Sequence, residues 1–410
     1  MAHRRQQPEQ QPAADLVKLR KKKNRTRLLR RLAVLGSLAL LLWFAYFLKD
    51  DIQRLSLGMH LSDLLASYAP GDDFPQELPS GKIRDLAPIG KDLVVLTDSN
   101  LFVYNSQGKQ TGGYLHGYAN AICRTNGDRV ITFDRGGKRF RVDSRTQELF
   151  SATLDYPIVS ADISRKGYVA VAAGDNRYQS RVTVYDQEFD EIFIRSSSDL
   201  VVDLKLDNRG EGMAISSVGA REGQLISAVT LFRFTQKDPT AQIELPDELV
   251  LSMAYAKDGN VQVITDRRAA LFSAEGAELA SVSFNEAYVN RFVNLTQGGM
   301  FVLLDELGDG NNLHLMSLDE TLTARGDTPV GNKVQSMDYA NGWLYLAARE
   351  GVTAYDENLG NSRALDLPEL YQVQPAGNFV YGITSDSIVK QKQEAVPRGP
   401  ALRPQSGSGE

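Results

Sequence analysis

Eight glycines punctuate the chain at a near-regular interval: Gly90, Gly127, Gly167, Gly210, Gly259, Gly298, Gly342 and Gly377, spaced 35 to 49 residues apart with a mean of 41. Each follows one short strand-like run and precedes a second, more apolar one, such as Val130–Phe133, Val169–Ala172 or Leu344–Ala347. Third runs often end in an aromatic and a turn former, as at Tyr104-Asn105, Tyr185-Asp186 and Tyr355-Asp356. Fourth runs follow at Glu148–Ala152, Glu191–Arg195, Ala241–Leu245 and Glu278–Val282. A repeat of this length with four short strands is the signature of a propeller blade, whose strands must stack against neighbouring blades to bury both faces. The pattern predicts an all-β fold, an eight-bladed β-propeller, with seven blades as the alternative.

The eighth repeat stops after Ile388 and Val389 without a fourth strand. Phe74-Pro75-Gln76-Glu77-Leu78-Pro79 resembles the fourth strands Ala241–Pro246 and Arg363–Pro368. Residues 74–79 are therefore expected to supply the outer strand of the last blade and close the ring, leaving no open seam. Pro75 and Pro79 suit an outermost strand, where one row of backbone groups goes unpaired.

Upstream, residues 32–48 form an uncharged apolar run between Arg31 and Lys49. As a helix it is about 26 Å long, slightly short of a bilayer core, a difference that snorkelling Arg31 and Lys49 make up. Trp43 and Tyr46 sit near its far end, where the interface favours such rings. No small-x-small cleavage site follows Ala45, so a signal anchor is expected rather than a cleaved leader. Residues 1–31 hold eleven Lys/Arg against Glu9 and Asp15, while the whole chain is at −5. A basic flank of this kind stays in the cytoplasm and places the body outside. The acidic remainder argues against a nucleic-acid partner. The expected organisation is a basic cytoplasmic tail (1–31), a single-pass cell-membrane anchor (32–48), a juxtamembrane helix and linker (49–73), the propeller (74–390) and a disordered tail (391–410).

This arrangement resembles a bacterial family of membrane-anchored propellers catalogued only as a domain of unknown function. The resemblance spans roughly residues 30–390 and rests on Phe74-Pro75, Tyr156-Pro157-Ile158, the run Arg177–Asp186, and Ile243–Leu249. It implies an N-terminal anchor and an outward propeller, and it carries no activity or catalytic residue to transfer.

The residues themselves offer no catalytic, cofactor or metal motif. There is no nucleophile elbow or Walker loop. His3, His60, His116 and His314 lack metal-ligand spacing to one another or to Cys123, the single cysteine, which reads as a buried small hydrophobe. Acidic residues recur after the second strands, at Asp98, Asp134, Asp175, Asp266, Asp305, Glu350 and Asp386. Turn chemistry is the favoured reading over a cation-binding rim, because Asp bonds its own nearby backbone. Asp85, Asp162, Asp203 and Asp338 fall on first strands, where they are either channel carboxylates or structural polar groups. Asp305–Asn312 looks like a calcium loop but has Leu307 where a ligand is needed and Met316 in place of the terminal Glu.

Unequal loop length is more informative. The loops Gly174–Ser180, Val218–Gln224 and Glu306–Asn312 join second to third strands and should share one face. They carry Arg177, Tyr178 and Arg221, residue types that anchor interfaces, and these three are the candidate partner-binding residues. The expected function is a non-enzymatic binding or scaffold module of the cell envelope, with an envelope protein or wall polymer as partner. Two alternatives stand beside it: a sensor relaying through its anchor, and a propeller-type enzyme acting on glycans or using a quinone.

Overall fold

The eight recurring glycines all have positive φ, between 57° and 110°, in the turn from the first to the second strand of a blade. L-residues avoid this region, and glycine enters it without steric cost. In the computed structural model, which describes residues 36–37, 57–330 and 333–393, thirty-two strands form eight four-stranded antiparallel sheets. Seven sheets are built from strands consecutive in the chain, the first within residues 83–115 and the seventh within 336–365. The eighth joins β30 (Gln372–Ala376), β31 (Phe379–Ile383) and β32 (Ser387–Lys392) to β1 (Gln76–Glu77). The protein is an eight-bladed β-propeller, and its ring closes as the sequence predicts, with Gln76 opposite Ile388 and Glu77 opposite Ser387. Strand β32 runs to Lys392, two residues past the expected boundary at 390.

Packing explains why each blade needs its neighbours. The apolar clusters run between sheets: Val229, Leu231, Ile243 and Leu245 of one blade pack on Met253, Val261, Val263 and Phe272 of the next. At the seam Leu86, Leu93, Val95 and Tyr104 of the first blade meet Ala376, Tyr381, Ile383 and Ile388 of the last, with Phe74 and Leu78 against them. Several first strands carry a bulge, including β2 (Ile83–Ile89), β10 (Ile158–Ile163) and β14 (Leu200–Leu206). A bulge sharpens the local twist and re-aims side chains. Cys123 is buried, as expected.

The contacts divide the chain into two units, 1–62 and 63–410. The expected transmembrane segment, 32–48, lies outside the described residues apart from a short helical piece at 36–37; so do the basic tail and nearly all of the C-terminal one. No helix among the described residues is long and apolar enough to cross a membrane. A helix, α1 (Leu57–Ser67), forms where a juxtamembrane helix is expected. From Asp63 on it is tied to the propeller by polar groups. The Asp63 carboxylate accepts from the hydroxyls of Ser144 (3.1 Å) and Thr146 (2.7 Å). The Ser67 hydroxyl donates to Asp92. The Asn105 amide donates to the carbonyls of Ala66 (2.9 Å) and Ala69 (2.7 Å), satisfying helix-end acceptors. These partners lie at first-to-second and third-to-fourth strand turns, so this segment occupies the face carrying the recurring glycines.

Candidate functional site

Strands β11 (Val169–Ala173) and β12 (Ser180–Tyr185) are joined on the opposite face by the loop bearing Arg177 and Tyr178. Asp175 organises this loop, its Oδ1 accepting from the backbone N–H of Arg177 (2.8 Å) and Tyr178 (3.2 Å). The Arg177 N–H leads the effects that hold the Asp175 carboxyl below its ordinary value. The carboxylate is therefore spent on its own turn, and both candidate side chains are left in solvent, Tyr178 at 51% exposure.

Tyr178 is one wall of a groove of about 710 Å³ along the outer strand of this blade, β13 (Glu191–Ser197). Ile192, Ile194 and Arg195 line it from the strand, and Phe234 and Lys237 from the following blade. Ile192 and Ile194 are 42% and 47% exposed. Adjacent side chains of a strand point to opposite faces. Phe193, which also lines the groove, packs against Phe232 and Phe234. Sequence reasoning missed this stripe, although Ile-Phe-Ile in an outer strand is its signal: an outer strand with water on one face needs only alternate apolar residues.

Arg221 has a different setting. The segment expected to be a loop, 218–224, is instead the end of a long hairpin, β15 (Gly212–Arg221) and β16 (Gln224–Arg233), paired out to Arg221 and Gln224. Glu222 and Gly223, both at positive φ, form its two-residue turn, the geometry that suits hairpin twist. The Arg221 guanidinium pairs with the Glu244 carboxylate on β17 (Ala241–Pro246). Arg177 and Tyr178 thus share one loop and Tyr178 shares a groove with two isoleucines, whereas Arg221 occupies the tip of the neighbouring blade's hairpin.

The first-strand carboxylates line the axis, and each is bonded. Arg124, on β6 (Ala121–Thr125), reaches past the third blade to Asp203 of the fourth (2.8 Å) and lies 3.8 Å from Asp162. Lys205 is 3.4 Å from Asp162, and the Ser160 hydroxyl donates to Asp203 at 2.6 Å. Burial alone would raise Asp203, but Arg124 and then Lys205 outweigh it and hold the carboxyl below its usual value. On the other side of the channel Gln372 donates to Asp85 (2.8 Å) and Gln374 to Asp338. Among the described residues no cation acts on these two, and burial raises both, Asp338 to about 7, with the nearby Asp85 charge adding to it. A cavity of about 550 Å³ opens at the glycine-bearing end of the channel, with Asp162, Arg165 and Lys205 on its wall.

The acidic residues after the second strands accept backbone N–H groups, Asp305, like Asp175, from its own loop and others from the segment that enters the blade. Asp134 accepts from Asn120 N–H (2.9 Å) and Asp266 from Leu249 N–H (2.8 Å). Asp305 takes Gly308 N–H on one oxygen and Gly310 N–H on the other, so the calcium-like loop is an ordinary long hairpin connection. Among the described residues no group of three or more His, Cys, Asp and Glu side chains is placed to share a metal ion. His116 donates from Nε2 to the Thr97 carbonyl (3.2 Å) and accepts the Tyr118 N–H on Nδ1 (2.9 Å); burial lowers its pKa, so it is held neutral.

Comparison with known proteins fits this geometry. A family model described as "Family of unknown function (DUF5711)" matches residues 78–356. No curated protein matches the chain. Among solved structures, Sqt1 from Saccharomyces cerevisiae is similar at a TM-score of 0.58 and 11% identity, over 78% of this chain and 99% of that one. BamB from Moraxella catarrhalis is similar at 0.50 and 9% identity, over 77% and 99%. At such identities the likeness is one of fold.

Proposed function

The chain belongs to the family of unknown function DUF5711, and we propose that it works as a non-enzymatic binding or scaffold propeller of the cell envelope, held by an N-terminal anchor with the propeller outside. The observation that carries the binding reading is the groove along β13, where exposed Tyr178, Ile192 and Ile194 stand together beside the Arg177 loop. An aromatic and two aliphatic side chains in a groove rimmed by Arg and Lys are the makings of a macromolecular hot spot. The partner is a protein or wall polymer of the envelope. The anchoring reading rests on residues 32–48 and the basic flank before them. A glycan-cleaving enzyme draws little support, because the channel carboxylates are engaged by Arg124, Gln372 and Gln374.

Crosslinking in intact cells tests the binding reading. The wild-type chain is expected to give specific crosslinks from positions flanking the groove, and Arg177→Ala with Tyr178→Ala to abolish them without loss of folding. Unchanged crosslinks in the double variant would overturn it. Protease added to spheroplasts should digest the propeller and spare the basic tail. A mature chain beginning after residue 48 would defeat the anchoring reading.

A further inference from the structure

Helix α1 is amphipathic in the reverse of the usual sense. Asp63 and Ser67, one turn apart, face the propeller and are buried, while Leu64, Leu65 and Tyr68 on the other side are 55%, 64% and 64% exposed. Leu61, a turn earlier, is 56% exposed. A surface helix ordinarily turns its apolar stripe to the core. Here the docking contacts are hydrogen bonds to Ser144, Thr146, Asp92 and Asn105, which fix the helix with its leucines outward. Lys91 places its ammonium 3.2 Å from the centre of the Tyr68 ring, so the apolar face ends in an aromatic with a cation at its rim.

We propose that this leucine face of α1 is seated in the headgroup–acyl boundary of the bilayer, so that the glycine-bearing face of the propeller lies against the membrane and the Tyr178 face points away. The proposal rests on the anchoring reading above. The occupant follows from where the rest of the chain lies. The uncharged run ends at Leu48, nine positions before Leu57. Nine residues span at most about 30 Å, which keeps α1 within reach of the surface its anchor enters. The outward face itself carries no charge, and a Tyr with a flanking Lys is what the membrane interface selects. A propeller tethered by a flexible stalk would tumble, whereas one resting on a lipid-seated helix holds its opposite face toward partners in the envelope.

The test uses the full-length chain in phosphatidylethanolamine–phosphatidylglycerol vesicles. In a Cys123→Ser background, single cysteines at 64, 65 and 68 carry an environment-sensitive fluorophore, with a control at 221 on the opposite face. Lipids bearing a nitroxide on the upper acyl chain are expected to quench the three helix positions at least twofold and to leave 221 unchanged. Quenching absent at 64 and 65 overturns the proposal, whether the face is then in water or under a protein. A carbonate wash reads the anchor separately: release of a chain whose helix is still quenched by lipid overturns the anchoring reading and leaves the helix assignment standing.

Discussion

Gln76 stands opposite Ile388 in an antiparallel pair although 312 residues separate them, and this pair begins the only strand pairing between the two ends of the propeller among its described strands. Strand β1 is two residues long, so its side chains and neighbours carry much of the closure. Phe74 meets Tyr381 edge to face at 5.2 Å, and Lys390 bonds Asp73 and donates to the Ser106 carbonyl at 2.8 Å.

Removing that join should destabilise the whole ring. Phe74→Ala is expected to cost roughly 2–4 kcal/mol in urea unfolding, around the lower end for an aromatic truncation because the ring is only partly buried. A chain beginning at Gly81 should aggregate or unfold early, because the last blade then presents an open edge; one beginning at Gly71 should fold. Equal stability of the two chains would show that β1 is dispensable.

Arg145 and Asp92 link the second blade to the first beneath α1, with Nε 3.1 Å from Oδ2. Asp92 is fully buried, and burial raises its pKa despite the Ser67 hydroxyl and the Arg145 charge. Arg145→Ala leaves that carboxylate without its bonded cation, with only the Lys91 charge acting on it, and should cost about 3–5 kcal/mol at pH 8. The raised folded pKa means the protonated form is favoured in the native state, so the loss should shrink as pH falls toward 4. A loss independent of pH would mean that Arg145 acts through its bonds to the Ile89 and Gly127 carbonyls instead.

Asp338 provides a second pH signature. Its folded pKa of about 7 lies above its ordinary value of 3.8 because of burial. The native state therefore keeps a proton that the unfolded chain releases; the associated stability is complete below pH 4 and is lost as pH rises through 7. Asp338→Asn removes this dependence. Its stability relative to wild type should rise between pH 4 and 8, by at most about 4 kcal/mol. Parallel pH profiles for the two proteins would rule out a proton on Asp338.

The glycine turns and the borrowed strand were legible because they are local signals: a residue type required by positive φ, and a strand motif repeated three times. The hairpin at 212–233 was hidden because polar and small residues such as Ser217, Gly219 and Arg221 interrupt the apolar alternation that marks a strand. The Ile-Phe-Ile run signals an apolar outer strand, but the groove itself depends on which of its positions the next blade covers: Phe193 packs against Phe232 and Phe234, and Ile194 stays exposed. The helix at 57–67 was visible as periodicity, but its orientation is set by partners at Asp92, Asn105, Ser144 and Thr146, distant in sequence.

Tyr178 and Arg221 carried equal weight in the sequence, and their surroundings now separate them. Tyr178 adds its ring to a groove with two exposed isoleucines, a setting in which an aromatic contributes at least ~2 kcal/mol, or about thirtyfold in affinity. Arg221 is already paired with Glu244 at a solvent-exposed hairpin, where such a pair stabilises by about 1 kcal/mol or less. In titrations with the crosslinked partner, Tyr178→Ala and Ile194→Glu should each weaken binding at least tenfold, and Arg221→Ala less than threefold. Because Tyr178 and Ile194 line the same groove, the double variant should fall short of the sum of the two singles. Should Arg221→Ala weaken binding as much as Tyr178→Ala, the partner sits across the loop face and not along the outer strand. Should Ile194→Glu have no effect while Tyr178→Ala does, the contact is confined to the 174–179 loop.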